Sequence, residues 1–181
     1  TRPGSFEGAG EKGLRWLQRV QRETGLLVTT EVATPAHVQM ALDYGIDIVW
    51  IGARTTASPF TTEQLAVALS HSNIPVLVKN PITPDLELWI GALERFNRMG
   101  ITKLAAVHRG FYPYEHSRLR NIPKWELAID LKSRFPDLPI LCDPSHIAGR
   151  ADTVTQVAQH RLNLSLDGLR VEVHPNPSPA L

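Results

Sequence analysis

Six side chains that could bind an anion or a metal ion recur along the chain, each close to the end of a short apolar run. They are Glu31, Arg54, Lys79, Arg109, His146 and Glu172. Short apolar runs that end in polar or glycine-containing clusters are typical of buried strands. We therefore predict that each of these side chains lies at, or just past, the carboxyl end of a strand. If the strands are parallel, all six side chains lie at the same end of the sheet.

Three of these side chains are cations on adjacent strand ends, which predicts a binding site for an anion. They are Arg54, Lys79 and Arg109. Unpaired charges in a partly buried cavity are costly unless an anion neutralises them, and guanidinium groups suit carboxylate or phosphate. Gly52 and Ala53, just before the first arginine, would let the backbone approach such a ligand. The alternative is that the cations form structural salt bridges with Glu31 or Glu172.

The stretch Asp143-Pro-Ser-His146 could hold a metal ligand or an acid–base group at a strand end. Asp143 can hydrogen-bond the local backbone and the proline restricts the turn, so that His146 is held in place. Glu172, near the end of the next predicted strand, adds an oxygen ligand to the histidine nitrogen. This pair suits a divalent transition metal, although two ligands do not complete a site. A hydrogen bond between the two residues is the alternative.

The elements that must position these side chains alternate between strand and helix. Apolar runs predict strands over residues 26–32, 46–51, 74–78, 102–107, 139–142 and 166–173. Helical periodicity and end signals predict helices over 10–24, 34–44, 62–70, 84–99, 125–134 and 151–163. Strands that are almost continuously apolar, with helices between them, are typical of a parallel sheet covered by helices.

Both an open, doubly wound sheet and a closed barrel fit this α/β alternation. An open sheet builds its site at one switch point, from a few strand ends, whereas a barrel brings all its strand ends to one mouth. Because candidate side chains follow six successive strands, we predict a (β/α)8 TIM barrel. Complete barrels have about 250 residues. Residues 1–181 are therefore expected to form one partial barrel domain of about six units, without the first two strands and the last helix.

The overall composition excludes some kinds of partner. The 181 residues are 43% hydrophobic and carry a formal net charge of +1, so there is no electrostatic argument for nucleic acid or an anionic membrane. No apolar run approaches the roughly 20 residues of a membrane span, and no signal peptide opens the chain. A cytoplasmic protein is expected. We interpret Cys142 as a buried thiol, His108 as a packed neighbour of the site, and the four tryptophans as core residues.

Several short motifs occur in an order that resembles a known enzyme family. They are Thr1-Arg-Pro-Gly-Ser-Phe-Glu-Gly8, Thr30-Glu-Val32, Ile51-Gly-Ala-Arg54, Val78-Lys79, His108-Arg-Gly110, Asp143-Pro-Ser-His146 and Glu172. Together they resemble the type I 3-deoxy-7-phosphoheptulonate (DAHP) synthases, in the branch related to 3-deoxy-octulosonate 8-phosphate (KDO8P) synthase. Lys79-Asn-Pro81, His108-Arg-Gly-Phe111 and Arg120-Asn121 resemble the group that is sometimes fused to a chorismate mutase.

The resemblance implies a TIM-barrel transferase that condenses phosphoenolpyruvate with erythrose 4-phosphate in the shikimate pathway. Phosphoenolpyruvate would be bound by Ala53, Arg54, Lys79 and Arg109. Thr1 would belong to the motif that binds erythrose 4-phosphate, and His146 and Glu172 would be two ligands of a divalent ion (Mn, Fe, Co or Zn). Lys79, Glu31 and His146 would be the catalytic side chains. A homo-oligomer is also implied.

The chain departs from the family pattern at both ends. The family's metal-binding cysteine, the lysine and arginine expected before Thr1, and a further aspartate ligand are not found in this sequence. We therefore expect a piece of a longer enzyme that binds metal poorly and has little activity by itself. Three other functions stay open. One is a KDO8P synthase that uses arabinose 5-phosphate, and another is a non-catalytic barrel module. The third is a generic phosphate-binding barrel, which would not predict the pair His146 and Glu172.

Overall fold

The computed structural model describes residue 4 and residues 8–174. Within that part of the chain, the helices are α1 (Glu11–Thr24), α2 (Pro35–Asp43), α3 (Ala53–Thr56), α4 (Pro59–Leu69), α5 (Leu86–Arg98), α6 (Trp125–Arg134), α7 (Pro144–Ala148) and α8 (Ala151–Asn163). The strands are β1 (Thr29–Glu31), β2 (Ile48–Ile51), β3 (Val76–Lys79), β4 (Leu104–His108), β5 (Ile140–Cys142) and β6 (Gly168–Leu169). No helix among the described residues is long and apolar enough to cross a bilayer.

The six strands form one sheet in which each strand pairs in parallel with the next strand along the chain. In a doubly wound sheet the strand order reverses, so that helices cover both faces. Here the order never reverses, which is the winding of a barrel wall. The sheet therefore agrees with the predicted six barrel units, and its parallel strands bring their carboxyl ends to one edge.

The hydrophobic core lies between this sheet and its helices. Alternate strand residues such as Val49, Ile51 and Val78 are fully buried. Trp89 of α5 is also fully buried, and its indole Nε1 donates a hydrogen bond of 3.2 Å to the carbonyl oxygen of Val78. This contact ties α5 to the strand residue directly before Lys79, so the packing of α5 helps to fix the position of that side chain.

Side-chain caps determine where several helices begin. Thr34, Ser58 and Asp85 each accept a hydrogen bond from a backbone N–H in the first turn of the helix that follows. The helices predicted over 125–134 and 151–163 have those bounds. The helix predicted from residue 62 begins earlier, at Pro59, because Ser58 caps it.

The structure differs from the predicted elements at the strands and at two turns. Leu26 and Leu27 are 64% and 71% exposed, and only Thr29–Glu31 of the predicted first strand pairs with a neighbour. The predicted last strand is reduced to Gly168–Leu169. Two short helices, α3 and α7, follow β2 and β5 where the sequence predicted only turns. Of the four tryptophans, Trp16 is exposed and Trp89 alone is fully buried, so the assignment of all four to the core was wrong.

Candidate active site

A cavity of about 480 Å³ lies at the carboxyl edge of the sheet. It is lined by Glu31, Trp50, Gly52, Ala53, Arg54, Thr55, Lys79, Ile82, Arg109, Tyr112, Arg120, Asn121 and His146. These residues come from five successive strand ends and from the loops that follow them. A groove of about 680 Å³ lies elsewhere, between α5 and the loop after α6. That groove contains none of the predicted site residues, whereas barrel chemistry is found at the carboxyl ends of strands.

Glu31 and Arg54 reach the cavity from β1 and from the helix after β2. Glu31 is the last residue of β1, and its carboxylate lies directly against the backbone of Gly52. A Cβ atom at position 52 would overlap Oε1 of Glu31 and lie 3.1 Å from its Cδ. Arg54 is exposed on α3, which begins directly after Gly52. The absence of a side chain at position 52 therefore permits the close approach of the carboxylate, one residue before the helix that carries Arg54.

Lys79 is the most deeply placed of the three predicted cations. It ends β3 and is 3% exposed, and its Nζ lies 4.2 Å from the centroid of the Trp50 ring. The same Nζ lies 3.6 Å from Oδ2 of Asp143. Burial, and then the nearby Arg170 guanidinium, lower the pKa of Lys79 to about 8. At neutral pH the ammonium is still mostly protonated, but it loses its proton far more readily than an exposed lysine does.

Arg109 is held by two buried asparagines. Its backbone N–H donates to Oδ1 of Asn80 at 2.7 Å, and its Nη1 donates to Oδ1 of Asn121 at 2.9 Å. Asn121 in turn donates through Nδ2 to the carbonyl oxygen of His146 at 2.6 Å. Burial lowers the pKa of Arg109 to about 10, so the guanidinium stays charged at neutral pH. The two asparagines therefore fix the Arg109 guanidinium at the cavity wall. Because both are neutral, the positive charge of Arg109 stays available to a ligand.

Asp143 is a fully buried carboxylate that joins the cavity to α7. Its Oδ1 accepts the backbone N–H of His146 at 3.0 Å, so it caps the helix, and its Oδ2 lies 2.9 Å from Nδ1 of His146. This second contact is close but poorly aligned for a hydrogen bond, so it is mainly electrostatic. Burial by itself raises the pKa of Asp143, but His146 and the charge of Lys79 outweigh it and hold the pKa well below the usual range. Asp143 therefore stays ionised.

His108 lies behind the cavity, not in it. It is fully buried among the rings of Trp89, Phe111 and Trp125, whose centroids lie 6.4, 5.9 and 4.9 Å from its own. Burial lowers the pKa of His108 to about 3. The imidazole is therefore neutral in ordinary conditions and packs as an aromatic side chain, which confirms the prediction of a packed neighbour.

The family model described as the DAHP synthetase I family matches residues 1–181. The chain belongs to this family. It is 33% identical, over 181 residues, to phospho-2-dehydro-3-deoxyheptonate aldolase of Thermotoga maritima, covering all of this chain and 52% of that protein. It is 26% identical, over 197 residues, to 2-dehydro-3-deoxyphosphooctonate aldolase of Janthinobacterium sp., covering 97% of this chain and 64% of that protein.

Solved structures of the family share the fold. The crystal structure of the Thermotoga maritima DAHP synthase matches with a TM-score of 0.85 and 31% identity, over 97% of this chain and 50% of that one. A truncated form of the synthase from the same organism matches with a TM-score of 0.83 and 30% identity, over 96% of this chain and 64% of that one. These matches confirm the predicted fold class. The chain spans between half and two thirds of the length of these relatives.

Most of the site residues that the family resemblance implies lie together in the structure. Glu31, Ala53, Arg54, Lys79, Arg109 and His146 line the one cavity. Glu172 is described but is not among its lining residues, and Thr1 lies outside the described residues. Sequence reasoning missed Trp50, which we had assigned to the core, and the buried partners Asp143 and Asn121. Asp143 had been interpreted only as a turn residue. An aspartate can also cap the start of a helix, where its side chain accepts the backbone N–H of the residue three positions later.

His146 and Glu172, the two predicted metal ligands, could offer one ring nitrogen and one carboxylate to a divalent ion. Nδ1 of His146 faces Oδ2 of Asp143 at 2.9 Å, so Nε2 is the ring nitrogen that is free of this carboxylate. The backbone N–H of Glu172 donates to Oγ of Ser145 at 2.9 Å, which anchors the residue next to the helix that carries His146. Among the described residues, no group of three or more His, Cys, Asp and Glu side chains could hold a metal. Cys142 is buried, and burial raises its pKa to about 12, so it is a poor ligand here.

Proposed function

We propose that this protein condenses phosphoenolpyruvate with erythrose 4-phosphate to give 3-deoxy-D-arabino-heptulosonate 7-phosphate and inorganic phosphate. The observation that carries the proposal is that three cations from three strand ends, Arg54, Lys79 and Arg109, line one cavity beside Glu31 and His146. Membership of the DAHP synthetase I family supports the same reaction. The product would enter the shikimate pathway, and because the charged substrates do not cross membranes unaided, we place the activity in the cytoplasm.

The three cations are proposed to bind the phosphate and carboxylate of phosphoenolpyruvate. Arg109 presents a rigid fork that suits either group, and Lys79 adds a compact charge deep in the cavity. Arg54 is more exposed and can close on the ligand from the rim. The backbone of Ala53, next to a residue without a side chain, lines the same cavity. Thr1 is proposed to contact the second substrate, erythrose 4-phosphate.

His146 and Glu172 are proposed to contribute two ligands to a divalent ion such as Mn, Fe, Co or Zn. Such an ion would supply Lewis-acid chemistry at the aldehyde oxygen of erythrose 4-phosphate. Asp143 orients the histidine through its two contacts, one to the backbone N–H and one to Nδ1. The chain's own contribution is therefore to hold the nucleophile and the aldehyde side by side.

The proposed reaction forms one carbon–carbon bond and, from water, one carbon–oxygen bond, and it breaks the carbon–oxygen bond to the phosphate. Carbon 3 of phosphoenolpyruvate bonds to the aldehyde carbon, the aldehyde oxygen takes up a proton, and positive charge develops at carbon 2. Water adds at carbon 2 and loses a proton, and the resulting hemiketal phosphate loses phosphate to leave the ketone. Glu31 is proposed to orient the water, while Lys79 holds a proton at Nζ next to the phosphate.

A direct test is to measure phosphate release from phosphoenolpyruvate by the purified whole protein, after chelation and then with each divalent ion. Erythrose 4-phosphate is expected to support release. The Arg54→Ala variant should lose about a hundredfold or more in kcat/KM, because one charge of the anion site is lost. Arg98→Ala, an exposed arginine on α5, is the matched control and should match the wild type. Unchanged turnover in Arg54→Ala would remove the assignment of this arginine.

The second candidate substrate is arabinose 5-phosphate. Relatives named 2-dehydro-3-deoxyphosphooctonate aldolase, at 26% identity, favour testing it in the same assay. A higher kcat/KM with arabinose 5-phosphate would replace the first proposal. Binding of phosphoenolpyruvate without turnover of either aldehyde would favour a non-catalytic module instead. We further propose that the whole protein forms a homo-oligomer and includes a chorismate mutase domain outside this chain.

A further inference from the structure

The buried carboxylate of Asp143 has more positive partners than its single charge can neutralise. Its Oδ2 accepts a hydrogen bond of 2.9 Å from Nη1 of Arg170 and lies 2.9 Å from Nδ1 of His146. The Nζ of Lys79 lies farther away, at 3.6 Å. Of the arginine and the lysine, Arg170 is therefore the one that hydrogen-bonds Asp143, and the ammonium of Lys79 lies just beyond hydrogen-bond distance.

Arg170 is held in this position from both its backbone and its side chain. Its backbone N–H donates to the carbonyl oxygen of Cys142 at 2.8 Å, which continues the pairing of β6 with β5. Its guanidinium lies 4.6 Å from the centroid of the Trp50 ring, and Nζ of Lys79 lies 4.2 Å from the same centroid. Arg170 thus contacts both the carboxylate and the aromatic ring that adjoin Lys79.

We propose that Arg170 is a positioning residue for the anion site: it holds Asp143, and so leaves the ammonium of Lys79 available to the substrate anion. This role rests on the proposed function of Lys79. A fully buried carboxylate that loses its main partner must find another cation. Lys79 is the nearest lysine or arginine that remains, so without Arg170 it would be drawn onto Asp143 and away from the cavity.

Loss of Arg170 should affect the binding of phosphoenolpyruvate in two ways, one at neutral pH and the other at high pH. At neutral pH, loss of Arg170 weakens binding, because a positive charge is lost and Lys79 is occupied by Asp143. Without Arg170, however, Lys79 should stay protonated up to a higher pH than it does in the wild type. The charged groups that act on Lys79 are Asp143 and Glu31, which raise its pKa, and Arg170 and Arg109, which lower it. Removing Arg170 and tightening the Asp143 contact both raise that pKa.

The sign of the pH dependence follows from which form of Lys79 attracts an anion. Only the protonated ammonium does so, and burial lowers its pKa to about 8. Affinity in the wild type should therefore be roughly constant below this pH and should fall as the pH rises through it. In Arg170→Met the fall should begin about one pH unit higher, since neighbouring charges shift a pKa by about one unit or more.

The experiment is to measure the Kd for phosphoenolpyruvate by calorimetry from about pH 6.5 to pH 10, a range that contains the lowered pKa of Lys79 and extends toward that of a free lysine, about 10.4. Arg170→Met should weaken binding about tenfold at pH 7, the order expected when one charge near a buried site is removed. Arg170→Lys keeps the charge and should stay closer to the wild type. Arg150→Met is the matched control, because that arginine is exposed and pairs only with Asp152 in the described part of the chain.

The outcomes separate this inference from the proposed function. A wild type that binds no phosphoenolpyruvate overturns both. Binding in Arg170→Met with an unchanged pH midpoint overturns the role of Arg170 and leaves the anion site standing. If Arg170→Met lowers the thermal unfolding midpoint, Arg170→Gln carries the test, because it keeps an N–H donor for Asp143 but no charge. An unshifted pH midpoint in Arg170→Gln overturns the inference as well.

Discussion

Gly52 allows the carboxylate of Glu31 to lie against the backbone at the mouth of the cavity. An added methyl group would overlap Oε1 of Glu31, and the nearest atoms belong to the mobile end of that side chain. Gly52→Ala should therefore leave the fold intact, with a change in unfolding free energy below about 1 kcal/mol, but should displace the carboxylate. We expect its kcat to fall toward that of Glu31→Ala.

The double variant decides whether Gly52 acts through Glu31. If it does, Gly52→Ala combined with Glu31→Ala should be no slower than Glu31→Ala by itself, because the side chain that is displaced is already gone. Gly91→Ala on α5 is the control, since its added methyl group would meet only the flexible end of Arg95. Additive losses in the double variant would show that residue 52 affects the site by another route.

The segment after β4 links the two halves of the site. Phe111 and Ile122 pair as an isolated antiparallel bridge, and the backbone N–H of Asn121 donates to the carbonyl oxygen of Ile147 in α7. The side chain of Asn121 then joins Arg109 to the carbonyl oxygen of His146. A single buried amide thus connects Arg109, which is proposed to bind the anion, with the helix that carries the proposed metal ligand.

Asn121→Ala should loosen both residues that this amide connects. It leaves a buried guanidinium without its side-chain acceptor and a carbonyl oxygen without its donor, which should cost about 1–3 kcal/mol of unfolding free energy. The affinity for phosphoenolpyruvate should fall about tenfold as Arg109 loses its fixed orientation. Calorimetry and chemical denaturation measure the two effects. Asn97→Ala, at an exposed position on α5, should change neither. A stability loss with unchanged affinity would mean that Asn121 is only structural.

The sequence predicted the order of these elements better than their ends. The helices α6 and α8 were predicted at their observed bounds because their signals are local: helical periodicity and the turns on either side. The strands were predicted too long, since apolar residues such as Leu26 continue beyond the part that pairs. The helix α7 was missed because Asp143 and Pro144 are typical both of a turn and of a helix start.

The candidate site was predictable only in part, for a similar reason. Cations at strand ends could be located from the sequence, because parallel strands bring their carboxyl ends together. The pairing of Arg170 with Asp143 could not, since it joins residues 27 positions apart through side chains whose directions depend on the folded sheet. The position of Trp50 beneath two cations likewise depends on which face of β2 its ring occupies.

The protein as a whole carries little net charge, but its positive charge is concentrated at one place. The formal net charge is +1, whereas Arg54, Lys79, Arg109 and Arg120 all line the cavity with Glu31 as the one carboxylate among its described lining residues. These cations repel one another, and the pKa of Arg109 is lowered first by burial and then also by Arg120 and Arg54. An anion that enters the cavity relieves this repulsion only in the folded state.

Phosphoenolpyruvate should therefore raise the thermal unfolding midpoint. At a concentration about one hundred times its Kd, a ligand that binds only the folded state adds about 2.7 kcal/mol, which for a chain of this size is roughly 5–10 °C. Potassium chloride at the same ionic strength should give a much smaller shift, because chloride lacks the paired oxygens that suit a guanidinium fork. Scanning fluorimetry at neutral pH measures the shift, with Arg54→Ala expected to lose most of it and Arg98→Ala none. An equal shift from chloride, or a full shift in Arg54→Ala, would mean that the stabilisation does not come from this cavity.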